Sequence, residues 1–184
     1  GGVEVISNPV NPNLTMDSSI ERIEGKLLLL GRNSPVKNHA FAIEVATIAR
    51  KSNSKITLSM SGIDTSEENW VNAMGWISEQ QKIENLQNSN ILLVPSKWEG
   101  QPLVILEAMA CGLPVIANDG LAQLPDNIGK ASLENKQQWV DLILETIESK
   151  SSNIDYSQQL VEYEIENVQQ KWLQIYEQLI EKQI

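Results

Sequence analysis

ILLVPSKWEGQPLVILEAMACGLPVIAN, residues 91–118, is the stretch whose reading decides the fold. Ile91–Val94 is a short apolar run of the kind that forms a buried strand. Residues 95–101 carry proline and glycine and read as a turn, and residues 102–111 read as a helix. Pro102 suits a first helical turn, where no amide is needed, and Gly112 followed by Pro114 stops the helix. Residues 115–117 then read as the next strand. Strand, loop, helix and strand within thirty residues make one βαβ unit, so these two strands should be parallel. In such sheets ligands settle beyond the carboxyl ends of the strands, where helix N-termini point. The loop at residues 99–103 occupies that position.

Two carboxylates frame this loop. Glu99 lies within it, and Glu107 lies in a helix otherwise built of Leu, Val, Ile, Ala and Met. A carboxylate among such neighbours costs several kcal/mol unless it is paired, on the order of the penalty for a buried charge. Lys97 and Arg32 are the cations that spacing offers to Glu107.

Outward from this unit, residues 26–30 form a leucine-rich strand that ends at Gly31 and Arg32. Lys37 follows, just before a helical pattern with apolar Phe41, Ile43, Val45, Ala46, Ile48 and Ala49. A guanidinium and an ammonium beside a helix N-terminus suit a diphosphate clamp, or are two solvated surface cations. His39, the only histidine, stands at the start of that helix and reads as a helix-start residue rather than a base. Residues 55–60 alternate as a second strand and residues 70–74 give a third. Ser78 and Gln81 form a capping box that opens a helix to about residue 87. Residues 136–149 are amphipathic, with Trp139, Leu142, Ile143 and Ile147 on one face. Residues 159–184 read as a long acidic helix with a kink near Glu166 and Asn167.

The string E-G-x-P-L-x-x-x-E-A-M-A-C-G-L-P-V-I-A resembles the signature of the group 1 (family 4) retaining glycosyltransferases of the GT-B fold. Their paired glutamates are separated by seven residues, as Glu99 and Glu107 are here. The match runs nearly unbroken from Pro95 to Ala117 and extends in both directions. Residues 31–38, G-R-x-x-x-x-K-N, resemble the family segment whose Arg and Lys hold the donor's phosphates. The resemblance implies an α/β fold, a three-layer Rossmann-like parallel sheet flanked by helices, forming the C-terminal half of a GT-B enzyme. It implies that Arg32 and Lys37 neutralise the diphosphate leaving group and that Glu99 faces the donor sugar's hydroxyls. Glu107 would accept from the ribose, while Gly31, Gly100, Gln101, Pro102 and Leu103 shape the sugar and phosphate pocket. Trp76 and Ile77 match a segment that borders the base. Trp76 is placed either to stack on that base or to close the rim of the core.

Two segments depart from the family pattern. Between the second and third strands the usual turn and helix look shortened to residues 63–69. Residues 119–126 stand where the family has G-G-x-x-E, and neither the double glycine nor the glutamate is present. Near the start, Val3 to Ile6 reads as a strand-like run leading into a turn with prolines and asparagines at residues 7–13. That resembles the connector between the two halves of the enzyme. On this reading residues 1–24 are linker, residues 25–184 are the nucleotide-sugar-binding domain with C-terminal helices from residue 155, and the N-terminal acceptor domain lies outside the chain.

Composition narrows the possibilities further. A chain of 184 residues suffices for one α/β domain with a full core. Its net charge of −10 argues against nucleic acid, whose phosphates must be met by a basic face. No apolar stretch is long enough to span a membrane. A single cysteine, Cys111, cannot form an internal disulfide and fits a reducing, cytoplasmic setting, where it reads as a small packed residue. Any attachment at the inner face of a membrane would then belong to the absent domain. No cofactor is implied, and the donor substrate would be a nucleotide diphosphate-sugar, UDP- or GDP-linked. The partners are a glycan or lipid-linked acceptor and the missing domain. Neither a His or Cys pair at ligand spacing nor a D-x-D pair is present, so no metal ligands are assigned. A hexose-transferring enzyme whose fragment alone transfers nothing is the leading reading. A non-catalytic scaffold with the same fold is the alternative, and a sugar-nucleotide epimerase of the same architecture is disfavoured by the E-G-x-P-L string.

Overall fold

The computed structural model describes residues 4–149 and 153–181. Six strands, β1 (Lys26–Leu29), β2 (Thr57–Met60), β3 (Val71–Ala73), β4 (Ile91–Val94), β5 (Val115–Asn118) and β6 (Gly129–Ala131), form one sheet. Their order is β3-β2-β1-β4-β5-β6 and every neighbouring pair is parallel. The helices are α1 (His39–Arg50), α2 (Glu79–Asn88), α3 (Leu103–Ala110), α4 (Lys136–Glu148), α5 (Ser157–Leu160) and α6 (Ile165–Glu181).

The period of two along each strand divides the core into two layers. Leu27 and Leu29 of β1 join Phe41, Val45, Trp139 and Ile143 on the face covered by α1 and α4. Leu28 joins Leu86, Leu92, Ile105 and Met109 on the opposite face, covered by α2 and α3. Phe41 and Trp139 meet edge to face with ring centroids 5.4 Å apart, which ties α1 to α4. The three-layer architecture expected from sequence is present, and β4–α3–β5 is the parallel unit read from residues 91–118.

Element ends follow local chemistry. Ser78 and Gln81 form the reciprocal capping box that starts α2. Pro102 precedes the first residue of α3 rather than filling its first turn. At the other end of α3, Gly112 takes φ 66°. Its amide donates to Met109 O at 2.8 Å and that of Leu113 to Ala108 O at 2.8 Å, a Schellman stop. Between β2 and β3 no helix forms, as the short connection implied.

Three expectations change. Glu4 to Ile6 form no strand, and Val3 lies outside the described residues. Val5 is exposed, so the run has no layer to pack against. A sixth strand, Gly129–Ala131, closes the sheet beyond β5, where no apolar run announced one. The C-terminal pattern divides at Glu164, a few residues before the expected kink. There α5 passes through a single 3-10 turn, Val161–Tyr163, before α6 begins. Residues 182–184 of the expected helix lie outside the described residues.

Candidate functional site

In the order 3-2-1-4-5-6, the chain leaves β1 toward β2 on one side and β4 toward β5 on the other. The loops after β1 and β4 therefore face each other at the switch point of the sheet, the crevice position beyond the carboxyl ends where ligands settle in open α/β folds. The β1 loop carries Gly31, Arg32 and Lys37, and the β4 loop carries Glu99 and Gly100. The structure brings Lys37 and Glu99 together across this crevice: Lys37 Nζ lies 2.6 Å from Glu99 Oε1, with side chains 23% and 16% exposed. The Lys97 amide donates to Val36 O at 2.9 Å, so the two loops are joined by backbone as well. Arg32 is exposed on the same loop and has no hydrogen-bond or ion-pair partner among the described residues. Its guanidinium is free to meet an anion.

The loop after β1 rests on the end of β2. Ser61 Oγ accepts from the Gly31 amide at 2.9 Å. His39, the first residue of α1, is buried, and its Nε2–H donates to Ser61 O at 2.9 Å. That bond leaves Nδ1 buried with no partner among the described residues. Gly62, at φ 79°, lies so close that a Cβ there would be 2.7 Å from Asn33 N and 2.8 Å from Arg32 Cα. On the other side of the crevice, Asn118 Nδ2 donates to Ser96 O at 2.9 Å, holding the start of the β4 loop from β5.

Glu107 sits on α3, 19% exposed, and its partner is neither Lys97 nor Arg32. Lys82, from α2, places Nζ 2.6 Å from Glu107 Oε1 and 3.0 Å from Glu79 Oε1. Burial alone would lower the Lys82 pKa, but hydrogen bonds to Glu107 and Glu79 outweigh it and hold it above its usual value. Sequence spacing missed Lys82 because its partner lies 25 residues away on another helix. The available signal was its place four residues before Leu86, which is fully buried, on the inward stripe of α2.

The remaining site residues divide. Of the quartet at residues 100–103, the backbone amides of Gly100 and Gln101 have no partner among the described residues. Pro102 has none, and the Leu103 amide donates to Gln101 O at 2.9 Å. The Gln101 side chain is engaged elsewhere: its Oε1 accepts from Asn8 N at 2.6 Å and its Nε2 donates to Asn8 O at 3.2 Å. It thus clips the N-terminal segment to the β4 loop. Trp76 is 86% exposed after β3, which removes the core-rim alternative, while Ile77 packs against the layer containing α2 and α3. Cys111 is 1% exposed, and burial pushes its thiol up to about 11, as a packed residue requires. A separate cavity of about 540 Å³, lined by Gln123, Asp126, Asn127, Glu162, Tyr163 and Lys171, shares no residue with the crevice. Among the described residues no helix is long and apolar enough to cross a membrane.

The all-parallel six-stranded sheet with helices on both faces is the Rossmann-like fold of a GT-B half. Residues 17–166 match the family model described as glycosyl transferases group 1, and the chain belongs to that family. An uncharacterized glycosyltransferase of Haemophilus influenzae is 26% identical over 184 aligned residues, covering 88% of this chain and 52% of that protein. The chain thus spans about half the length of that relative. O-antigen chain mannosyltransferase B of Escherichia coli is 33% identical over 76 residues, 41% of this chain and 20% of the relative. Among solved structures, an S. aureus TarM mutant in complex with fondaparinux, alpha-GlcNAc-glycerol and UDP superposes with a TM-score of 0.78. It is 22% identical, covering 94% of this chain and 39% of that one.

Proposed function

We propose that this chain is the donor-binding half of a retaining glycosyltransferase that takes a UDP- or GDP-linked hexose and delivers it to a glycan or lipid-linked acceptor. The observation that carries the reading is the cation–acid pair at the switch point, with Lys37 and Glu99 2.6 Å apart and Arg32, on the same loop as Lys37, exposed and without a partner among the described residues. The hexose assignment draws on relatives named for mannose and galactose transfer, and the choice of UDP on the UDP complex of the TarM mutant.

In this reading the bond that breaks joins the sugar's anomeric carbon to the diphosphate. Negative charge grows on the departing phosphate oxygens, and Arg32 and Lys37 stabilise it. Lys37 exchanges Glu99 for phosphate when donor binds, and this frees the Glu99 carboxylate to accept from the sugar's hydroxyls. The free Gly100 and Gln101 amides, just ahead of the α3 N-terminus, add dipoles of the right sign. Glu107 accepts from the ribose, and exposed Trp76 offers a face to the base. The Gln101 side chain, held on Asn8, sets the position of the loop rather than touching sugar. Acceptor and remaining catalytic groups come from a first domain, so this chain alone binds nucleotide and transfers nothing.

The scaffold reading draws on a different observation. No helix forms between β2 and β3, where the resembled family has a turn and helix that help wall the base pocket. Calorimetric titration of UDP and GDP into the chain separates the two. The donor-site reading expects saturable binding that weakens about tenfold or more in Arg32→Ala and in Lys37→Met, the loss of one charge-assisted contact each. No heat with either nucleotide would remove it in favour of the scaffold. Transfer of labelled sugar by this chain alone would contradict the need for a second domain.

A further inference from the structure

We propose that Lys82 is a positioning residue for the nucleoside end of the donor, holding the Glu107 carboxylate in the one orientation that can receive the ribose hydroxyls. This rests on the donor-site reading above and adds to it a residue on another helix.

The geometry has three parts. Glu107 projects from a helix whose other residues are almost all apolar, and a partly buried carboxylate there calls for a polar partner. Lys82 provides one, with Nζ 2.6 Å from Oε1, while Oε2 has no partner among the described residues and is left to accept from a ligand. Lys82 is itself held, because Glu79, one turn earlier on α2, binds the same ammonium at 3.0 Å. A single cation between two acids leaves the trio with one net negative charge. The trio is therefore an acceptor for hydroxyl groups and a poor receptor for phosphate. Arg32 differs in kind, since its donors are uncommitted.

The placement of α2 suits this role. The helix begins directly after Trp76 and Ile77, and its capping box fixes the first turn, so Lys82 is delivered from the rim that borders the base to the carboxylate assigned to the ribose. Both pair members are about four-fifths buried, with side chains 21% and 19% exposed, so the contact is shielded from bulk screening. A carboxylate whose plane is fixed before binding loses less rotamer freedom when the diol arrives.

The test is a calorimetric comparison of two ligands against three proteins. UDP or GDP, whichever the wild-type chain binds more tightly, is titrated alongside its 2′,3′-dideoxy counterpart into wild type, Lys82→Met and Lys82→Arg. The ribonucleotide should weaken about tenfold in Lys82→Met, the scale of one hydrogen-bonded contact to a charged group. The dideoxy nucleotide should change by less than about twofold, since it lacks the hydroxyls that Glu107 receives. Lys82→Arg should keep ribonucleotide binding within about threefold, because the charge and a donor are retained. Should Lys82→Met not fold, Lys82→Gln carries the same comparison. Equal weakening of both ligands would make Lys82 a phosphate contact or a general prop and overturn the proposal. So would unchanged binding of the ribonucleotide. A wild-type chain that binds neither nucleotide would remove the donor-site reading and this inference with it.

Discussion

Gly62 is where the seating of the candidate phosphate loop can be tested by a single methyl group. Its backbone has φ 79°, and a Cβ there would lie 2.7 Å from Asn33 N and 2.8 Å from Arg32 Cα, and closer still to the Gly31 carbonyl oxygen. All three are backbone atoms of the β1 loop, so no side-chain rotation relieves the contact. Left-handed backbone costs alanine about 1–2 kcal/mol. Forcing tightly packed backbone apart adds about 1–3 kcal/mol. Gly62→Ala should therefore lose about 2–5 kcal/mol by urea unfolding, within the stability of an ordinary domain, so the variant remains measurable. The strain falls on residues 31–33, so the folded variant should also lose about tenfold in nucleotide affinity, the scale of one charge-assisted contact from Arg32. Gly100→Ala is the control. A Cβ there meets nothing within 4 Å, and stability should change by less than about 0.5 kcal/mol. Gly62→Ala with wild-type stability and unchanged nucleotide affinity would refute the claim that the end of β2 seats the Arg32 loop.

Arg22, buried at the opposite edge of the sheet, donates to Leu86 O, Gln87 O, Ser89 O, Cys111 O and Asn153 Oδ1, and Arg22→Met should lower the urea unfolding free energy by about 3 kcal/mol or more while folded protein keeps its nucleotide affinity. Ser78→Ala removes the side-chain half of the α2 capping box and should cost about 1 kcal/mol in the same assay. Cys111, with its thiol pushed up to about 11 by burial, holds roughly a hundredfold less thiolate at pH 8 than an ordinary cysteine of pKa 9.0. Because deprotonation is what the shift opposes, labelling of native protein should be slow at pH 8 and accelerate as pH rises toward 11. Fast labelling at pH 8 would contradict its burial.

Much of the fold was legible because buried parallel strands leave a simple trace. Ile91–Val94 and the leucines of β1 pack on both faces, so they read as unbroken apolar runs. Gly129–Ala131 left no such trace, since glycine, lysine and alanine carry no apolar pattern and the strand exists only because β5 offers an edge. The opposite error, a strand near Val5, came from an apolar run that finds no edge to join. Within the site, the positions of Arg32, Lys37 and Glu99 followed from strand ends, which local sequence marks well. The partner of Glu107 did not, because contacts between α2 and α3 are set by how both helices lie on the sheet. The Gln101 side chain shows the same limit: only the path of the N-terminal segment reveals that Asn8 occupies its carboxamide.

The central claim is that an activated sugar carrier is held where the loops after β1 and β4 meet. Titrating UDP and GDP into isotopically labelled chain, and following backbone amides by NMR, tests it at that place. The account predicts that the largest shifts fall at residues 31–39 and 99–103, with smaller ones at Trp76, Ile77 and Lys82. Shifts gathered instead around Gln123, Asn127 and Lys171, or none with either nucleotide at millimolar concentration, would contradict it.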